Sequence, residues 1–203
     1  MEIKTLNDGF YANTYLLINQ GEALIIDPAI PLRDIKTALK ENKVVGVLLT
    51  HGHFDHFKTL KVVLDQYQVP CYLNKKAYLK LLDPSLSCAA YFGYLKVDDY
   101  SNQLFSYLSD GATIKIGSFQ VKVIFTPGHT DCSVCYLINN CLFSGDTLFH
   151  HSVGRTDLPT GSAFVLQESL KKLLTLSEDY PVYPGHEEAT SIQEEALNNP
   201  YYR

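Results

Sequence analysis

Residues 44–49 read Val-Val-Gly-Val-Leu-Leu, a continuous apolar run with the length of one buried strand. The run leads directly into Thr50-His51-Gly52-His53-Phe54-Asp55-His56, a segment crowded with metal-ligand residue types. His51 and His53 are two apart, so an extended loop aims both rings to one side. Asp55 and His56 fall where the next helix begins, which turns them toward a second point. One short loop can thus serve two adjacent cations, and imidazole with carboxylate suits zinc, iron or manganese.

A metal needs further ligands, and three other segments offer them just past predicted strand ends. They are His129 in Thr126-Pro127-Gly128-His129-Thr130, Asp146 in Ser144-Gly145-Asp146-Thr147, and His186 in Tyr183-Pro184-Gly185-His186-Glu187. A glycine precedes each of the three, allowing a sharp turn and close backbone approach.

At about 150 residues per domain, 203 residues read as one domain spanning 1–203. The 46% hydrophobic and 19% charged content is that of a soluble globule, and no apolar run approaches the ~18–20 residues of a membrane helix. The N-terminal Met1-Glu2-Ile3-Lys4 shows no basic segment leading into an apolar one, so the expected location is the cytoplasm. A net charge of -5 and no Lys/Arg run beyond two residues argue against nucleic acid and membrane partners, and weaken a nuclease reading. The five cysteines are odd in number and scattered. Cys132 and Cys135 lie in a strand-like stretch, where residues three apart face opposite ways roughly 10 Å apart, beyond disulfide reach. They read as core cysteines of a reducing compartment.

Strands are expected at 14–18 and 23–27, joined through Asn19-Gln20-Gly21-Glu22, then at 44–49, 70–73, 113–116, 119–125, 133–138, 141–144 and 182–183. Helices are expected over 32–42, around 60–67, from an Asn74 cap to 82, and over 162–176 and 191–197. Strand groups separated by helices in both halves predict an α/β fold, a four-layer αββα sandwich of two mixed β-sheets with helices on the outer faces. The Tyr-rich stretch 83–109 reads as a lid or insert, or as a helix with weak periodicity.

With these elements in order along the chain, the sequence resembles the metallo-β-lactamase fold superfamily, in its glyoxalase II-like (hydroxyacylglutathione hydrolase-like) single-domain branch. The shared motifs are T-H-x-H-x-D-H, T-P-G-H-T, S-G-D-T-L-F, G-R-T-D (Gly154–Asp157) and P-G-H-E, with Ile26-Asp27-Pro28 matching an early strand end. The resemblance implies that His51, His53 and His129 hold one metal and that Asp55, His56 and His186 hold the other, with Asp146 between them. It implies two divalent cations, zinc first, with iron or manganese also compatible. Asp27 is expected to orient a ligand histidine through its free N–H. Class B1 lactamases carry Arg and Cys at the positions of His56 and Asp146, so that class is excluded. Full-length glyoxalase II adds a helical domain whose basic residues grip glutathione; with 17 residues after His186, no such grip is expected here. Cys132 stands where relatives usually have glycine.

The activity implied is hydrolysis of a small acyl thioester such as S-lactoylglutathione by a metal-bridged hydroxide. Two cations ~3.5–4 Å apart bring the pKa of water to about 7. Asp55 is the candidate catalytic residue, hydrogen-bonding the nucleophile. A thiolate leaves without a general acid, and none stands out beside the ligands. Arg155 either binds a substrate carboxylate or braces its loop by pairing with Asp157. His150 and His151 read as loop residues or as part of the cleft wall. The alternatives are a mononuclear-iron persulfide dioxygenase using His51, His129 and Asp146, a hydrolase of another ester or amide, and a metal-dependent binding module without turnover. The oligomeric state is left open.

Overall fold

The computed structural model describes residues 1–176 and 178–202. Two six-stranded mixed sheets are stacked face to face. The first runs in the order β1 (Glu2–Leu6), β2 (Thr14–Asn19), β3 (Glu22–Ile26), β4 (Lys43–Leu48), β5 (Cys71–Leu73), β6 (Phe105–Tyr107). Its first three strands are antiparallel and the remainder parallel. The connections between the parallel strands carry α1 (Leu32–Leu39), α2 (Phe54–Phe57), α3 (Leu60–Tyr67) and α4 (Lys75–Leu81).

The second sheet is ordered β14 (Thr190–Ser191), β13 (Pro181–Pro184), β10 (Cys141–Gly145), β9 (Val134–Ile138), β8 (Phe119–Phe125), β7 (Thr113–Ile116). Only β10 and β13 pair in parallel, and the crossover between them carries α5 (Ala163–Leu174). The small hairpin β11 (Leu148–Phe149) and β12 (Ser152–Val153) precedes that helix, and α6 (Ile192–Asn198) follows β14.

Strand alternation divides the core into three layers. Tyr15, Leu17, Leu24 and Ile26 face Phe119, Val123, Tyr136 and Phe143 between the sheets. Their sequence neighbours Leu16 and Ile25 turn the other way, onto Ile35, Leu39, Leu60 and Leu64 of the first helical layer. Ile124, Cys135 and Leu142 meet Leu166, Leu170 and Leu173 of the second. Cys132 packs in the first of the helix-facing layers and Cys135 in the second, and all five cysteines are free.

The helices start where the sequence supplies caps. Asn74, Ser162 and Ser191 each accept a backbone N–H of the following first turn. Helix α1 keeps the apolar face Leu32, Ile35 and Leu39 but stops three residues short of the expected 42, where Lys40 turns to a positive φ (54°) after donating its N–H to Lys36 O. The first hairpin is tighter than expected, since Asn19 pairs with Glu22 and only Gln20 and Gly21, at φ 51° and 78°, form the turn. The 83–109 stretch holds a 3₁₀ turn at Ala89–Phe92 and then β6, which extends the first sheet. No long helix lies there, and β6, β11, β12 and β14 are too short to show a period in the sequence.

Candidate metal centre

The loop after β4 enters the space at the strand ends with its backbone pinned from the other sheet. Val134 N–H donates to Thr50 O (2.9 Å), and the Tyr136 hydroxyl donates to Leu49 O (2.7 Å). The His186 loop is latched similarly, with Gly185 N–H on Gly145 O at 2.8 Å and Gly185 O accepting from Asn13 N–H at 2.7 Å. Gly185 is required by space. A β-carbon there would fall on Asp146 Oδ1 and lie 2.6 Å from His56 Cε1. Gly145 combines φ 50° with a Thr50 Oγ1 that would be 2.6 Å from any β-carbon.

These loops bring seven candidate residues from four segments into one place. The donor atoms of His51, His53 and His129 lie within 4.8 Å of one another, as do those of His51, His56 and Asp146, and those of Asp55, His56 and His186. His129 Nε2 faces His53 Nδ1 across 2.9 Å. Asp146 lies between the groups, with Oδ1 3.2 Å from His56 Nε2 and Oδ2 3.5 Å from His129 Nε2 and 3.6 Å from His186 Nε2. Asp55 Oδ2 is 3.2 Å from His186 Nε2.

The hydrogen bonds behind the rings decide which nitrogen each ring turns inward. Thr50 gives its hydroxyl proton to Asp27 Oδ2 (2.6 Å), so its oxygen is left to accept the His51 Nδ1–H at 3.1 Å. His56 Nδ1–H donates to Asp27 Oδ2 at 2.8 Å, and His129 Nδ1–H to the Arg155 carbonyl at 2.7 Å. All three rings therefore present Nε2 to the shared space. The inward nitrogens of His51 and His56 and the Oδ1 of Asp146 are buried and make no hydrogen bond. Buried orphans of this kind are expensive unless something else satisfies them, and an imidazole–carboxylate set fits a borderline divalent cation. Thr50 and the Arg155 carbonyl were not among the residues singled out as site candidates. Thr50 was visible only as the first letter of its motif, and a backbone carbonyl carries no sequence signature.

The electrostatics divide the cluster in two. Burial, reinforced by neighbouring imidazoles, holds His51 far below the ordinary imidazole value and His53 down to about 3, so both rings are neutral. Burial also opposes charge on His56 and His186. There the carboxylates of Asp146, Asp27 and Asp55 around His56, and those of Asp55 and Asp146 around His186, outweigh it and raise both. Burial likewise pushes Asp55 and Asp146 upward, and the cationic rings overcome it and keep both carboxyls below their ordinary range.

The cluster opens into a cleft of about 840 Å³ whose apolar wall includes Tyr91, Phe92, Phe149, Val153 and Leu158. Phe149 meets His186 edge-on at 6.2 Å. Arg155 is on the rim, where both Nε and Nη2 donate to Asp157 at 2.7 Å. His150 and His151 lie outside the cleft wall, on the β11–β12 turn.

Among curated proteins, the chain is 36% identical to the probable metallo-hydrolase YqgX of Bacillus subtilis, over 94% of this chain and 92% of that one. It is 34% identical to the hydroxyacylglutathione hydrolase of Francisella tularensis, over 92% and 68% respectively. Among solved structures, BLEG-1, a B3 metallo-beta-lactamase, superposes with TM-score 0.88 at 36% identity and 99% coverage of both chains. TTHA1623 in a di-iron-bound form gives 0.84 at 29% identity, over 99% of this chain and 100% of the other. The two-sheet architecture is thus that of the metallo-beta-lactamase fold. The family described as "Metallo-beta-lactamase superfamily" matches residues 7–186, and the chain belongs to it.

Proposed function

We propose that this chain is a cytoplasmic hydrolase of small acyl thioesters that works with two divalent cations. His51, His53 and His129 would hold one, Asp55, His56 and His186 the other, with Asp146 shared. The observation that carries the reading is the set of outward Nδ1 hydrogen bonds that leave inward Nε2 atoms beside an orphaned Asp146 oxygen. Divalent cations supply, when bound, Lewis acidity that polarises a carbonyl and brings the pKa of water to about 7.

The remaining work falls to the chain itself. Asp55, kept ionised by its neighbours, is placed to accept a hydrogen bond from the attacking water and orient it. Asp27 and the Arg155 carbonyl keep the rings turned inward through the cycle. Tyr91, Phe92 and Phe149 give the acyl group an apolar wall and keep bulk water from it. A thiolate departs unprotonated, which suits a cleft where Asp55, Asp146 and Asp157 are all held below the ordinary carboxylate range. The exposed Arg155–Asp157 pair braces the loop and is cheap to open, so Arg155 can turn to a substrate carboxylate. The donor set favours zinc without excluding iron or manganese, and the di-iron relative supports testing iron beside zinc.

A second reading, amide hydrolysis of a β-lactam, is favoured by the similarity to BLEG-1. The test is turnover of S-lactoylglutathione, a simple acyl thioester and a β-lactam by protein reloaded with zinc or iron. The proposal expects thioester cleavage that is lost on chelation and restored by metal. Lactam cleavage without thioester cleavage would overturn it, as would oxygen uptake on a persulfide with no hydrolysis.

A further inference from the structure

The turn of the β11–β12 hairpin consists of His150 and His151, and the function proposed above uses neither. His151 sits at φ 52°, a conformation uncommon for non-glycine residues, though histidine, asparagine and aspartate adopt it more readily than others. Such a conformation persists where the surroundings over-determine it, and here the anchor is visible. The His151 backbone N–H donates to the Oε2 of Glu195 at 2.9 Å. Glu195 is itself fully buried, with the Thr190 hydroxyl at 2.6 Å and the Asn199 amide at 2.7 Å on its carboxylate. The anchored turn directs the His151 ring at the preceding residue of α6, where Nε2 lies 2.7 Å from Glu194 Oε1. The His150 ring lies over it with centroids 4.0 Å apart, and its Nδ1 meets Glu188 Oε1 at 2.9 Å.

We propose that His150, His151 and Glu194 form a separate, surface cation site for a borderline divalent ion of the zinc or nickel class. One donor atom from each of the three lies within 4.8 Å of the others. Ligands about 2.0–2.2 Å from a tetrahedral zinc lie roughly 3.3 Å from one another, so closure needs only small side-chain shifts. Two imidazoles and a carboxylate favour zinc, nickel or copper over the oxygen-seeking calcium and magnesium. The side chains of His150, His151 and Glu194 are 33%, 45% and 42% exposed, so an ion reaches them directly from solvent.

The site is wired to the cleft. Phe149, one residue before the turn, packs on His186, and Ser152 and Val153, just after it, line the cleft wall. Glu188 is two residues beyond His186. An ion at the turn therefore ties the hairpin to α6, the His150–Glu188 contact joins the hairpin to the His186 loop, and one side of the cleft is stiffened. This coupling rests on the hydrolase reading; the site does not.

The experiment compares wild-type protein with a His150→Gln/His151→Asn variant, asparagine being chosen because it tolerates left-handed backbone. Both are loaded with zinc, dialysed, and titrated with zinc alone against a chromophoric chelator. The wild type is expected to bind one more, weaker equivalent than the variant, and Glu194→Gln to weaken that equivalent at least tenfold. Equal numbers of equivalents in the two proteins would overturn the site, whatever the central stoichiometry or activity. With a thioester substrate, excess zinc is expected to change KM at least twofold in the wild type and leave the variant unchanged. A KM insensitive to zinc in both would overturn the coupling.

Discussion

Asp27 takes the Nδ1–H of His56 on the same oxygen, Oδ2, that takes the hydroxyl of Thr50, at 2.8 and 2.6 Å. One buried carboxylate thereby sets the tautomer of His56 directly and that of His51 through Thr50. Its other oxygen accepts the Thr50 backbone N–H at 2.8 Å, which fixes the start of the histidine loop. Replacing Asp27 with Asn keeps the shape and removes the charge that favours Nδ1–H on His56. Metal affinity is expected to fall roughly 10–100-fold, the usual cost of losing such a partner, and the metal-free protein is expected to melt at a lower temperature, because the fully buried His56–Asp27 pair is broken. Competition with a chelator reads the first, and a melt with metal removed reads the second.

Proton release on metal uptake follows from the two-sided electrostatics. His56 and His186 hold protons more tightly than free imidazole, whereas His51 and His53 are neutral. A ligand ring must be deprotonated, and Asp27 holds the Nδ1–H of His56, so the proton that leaves is the one on Nε2. Metal affinity should therefore rise with pH across neutrality and fall in acid. Calorimetry in buffers of different ionisation enthalpy should register net proton release at pH 7. Uptake with no buffer dependence would contradict the assignment.

Gly185→Ala tests how closely the His186 loop approaches. The added methyl falls on Asp146 Oδ1 and the His56 ring, which cannot retreat from a packed site. At least a tenfold loss of metal affinity and of turnover is expected, with the circular dichroism spectrum retained.

Lys80 supports the site from outside. It is buried, with Nζ 2.8 Å from Thr160 Oγ1 and 3.2 Å from Asp131 Oδ1, and its Cβ would be 2.7 Å from any β-carbon at Gly52. Lys80→Ala is expected to cost about 1–3 kcal/mol in urea denaturation. That is less than the ~3–5 kcal/mol of a fully buried pair, because the Asp131 side chain is 35% exposed and partly solvated without its partner.

Much of the site was legible because its side chains are carried by compact motifs at strand ends. His51 and His186 come together although 135 positions separate them, since β4, β10 and β13 all deliver their loops to the same end. The long alternating strands and capped helices read directly as well. What escaped were the first strand, β1, whose burial alternates poorly, and features without a local period. Strands of two or three residues such as β6 and β11 exist only through their neighbours, and the ring-orienting Arg155 carbonyl belongs to the backbone. The 3₁₀ turn that sets Tyr91 and Phe92 against the cleft is likewise fixed by packing, with Phe92 lying 5.9 Å from the Phe54 ring.

Elemental analysis of wild-type and Asp146→Ala protein, run beside S-lactoylglutathione turnover, tests the central claim most directly. Two metal ions per wild-type chain with thioester hydrolysis, and loss of both metal and nearly all activity in the variant, are the results expected. A single iron per chain that supports oxygen uptake on glutathione persulfide, or an Asp146→Ala protein with full metal content and normal turnover, would contradict it.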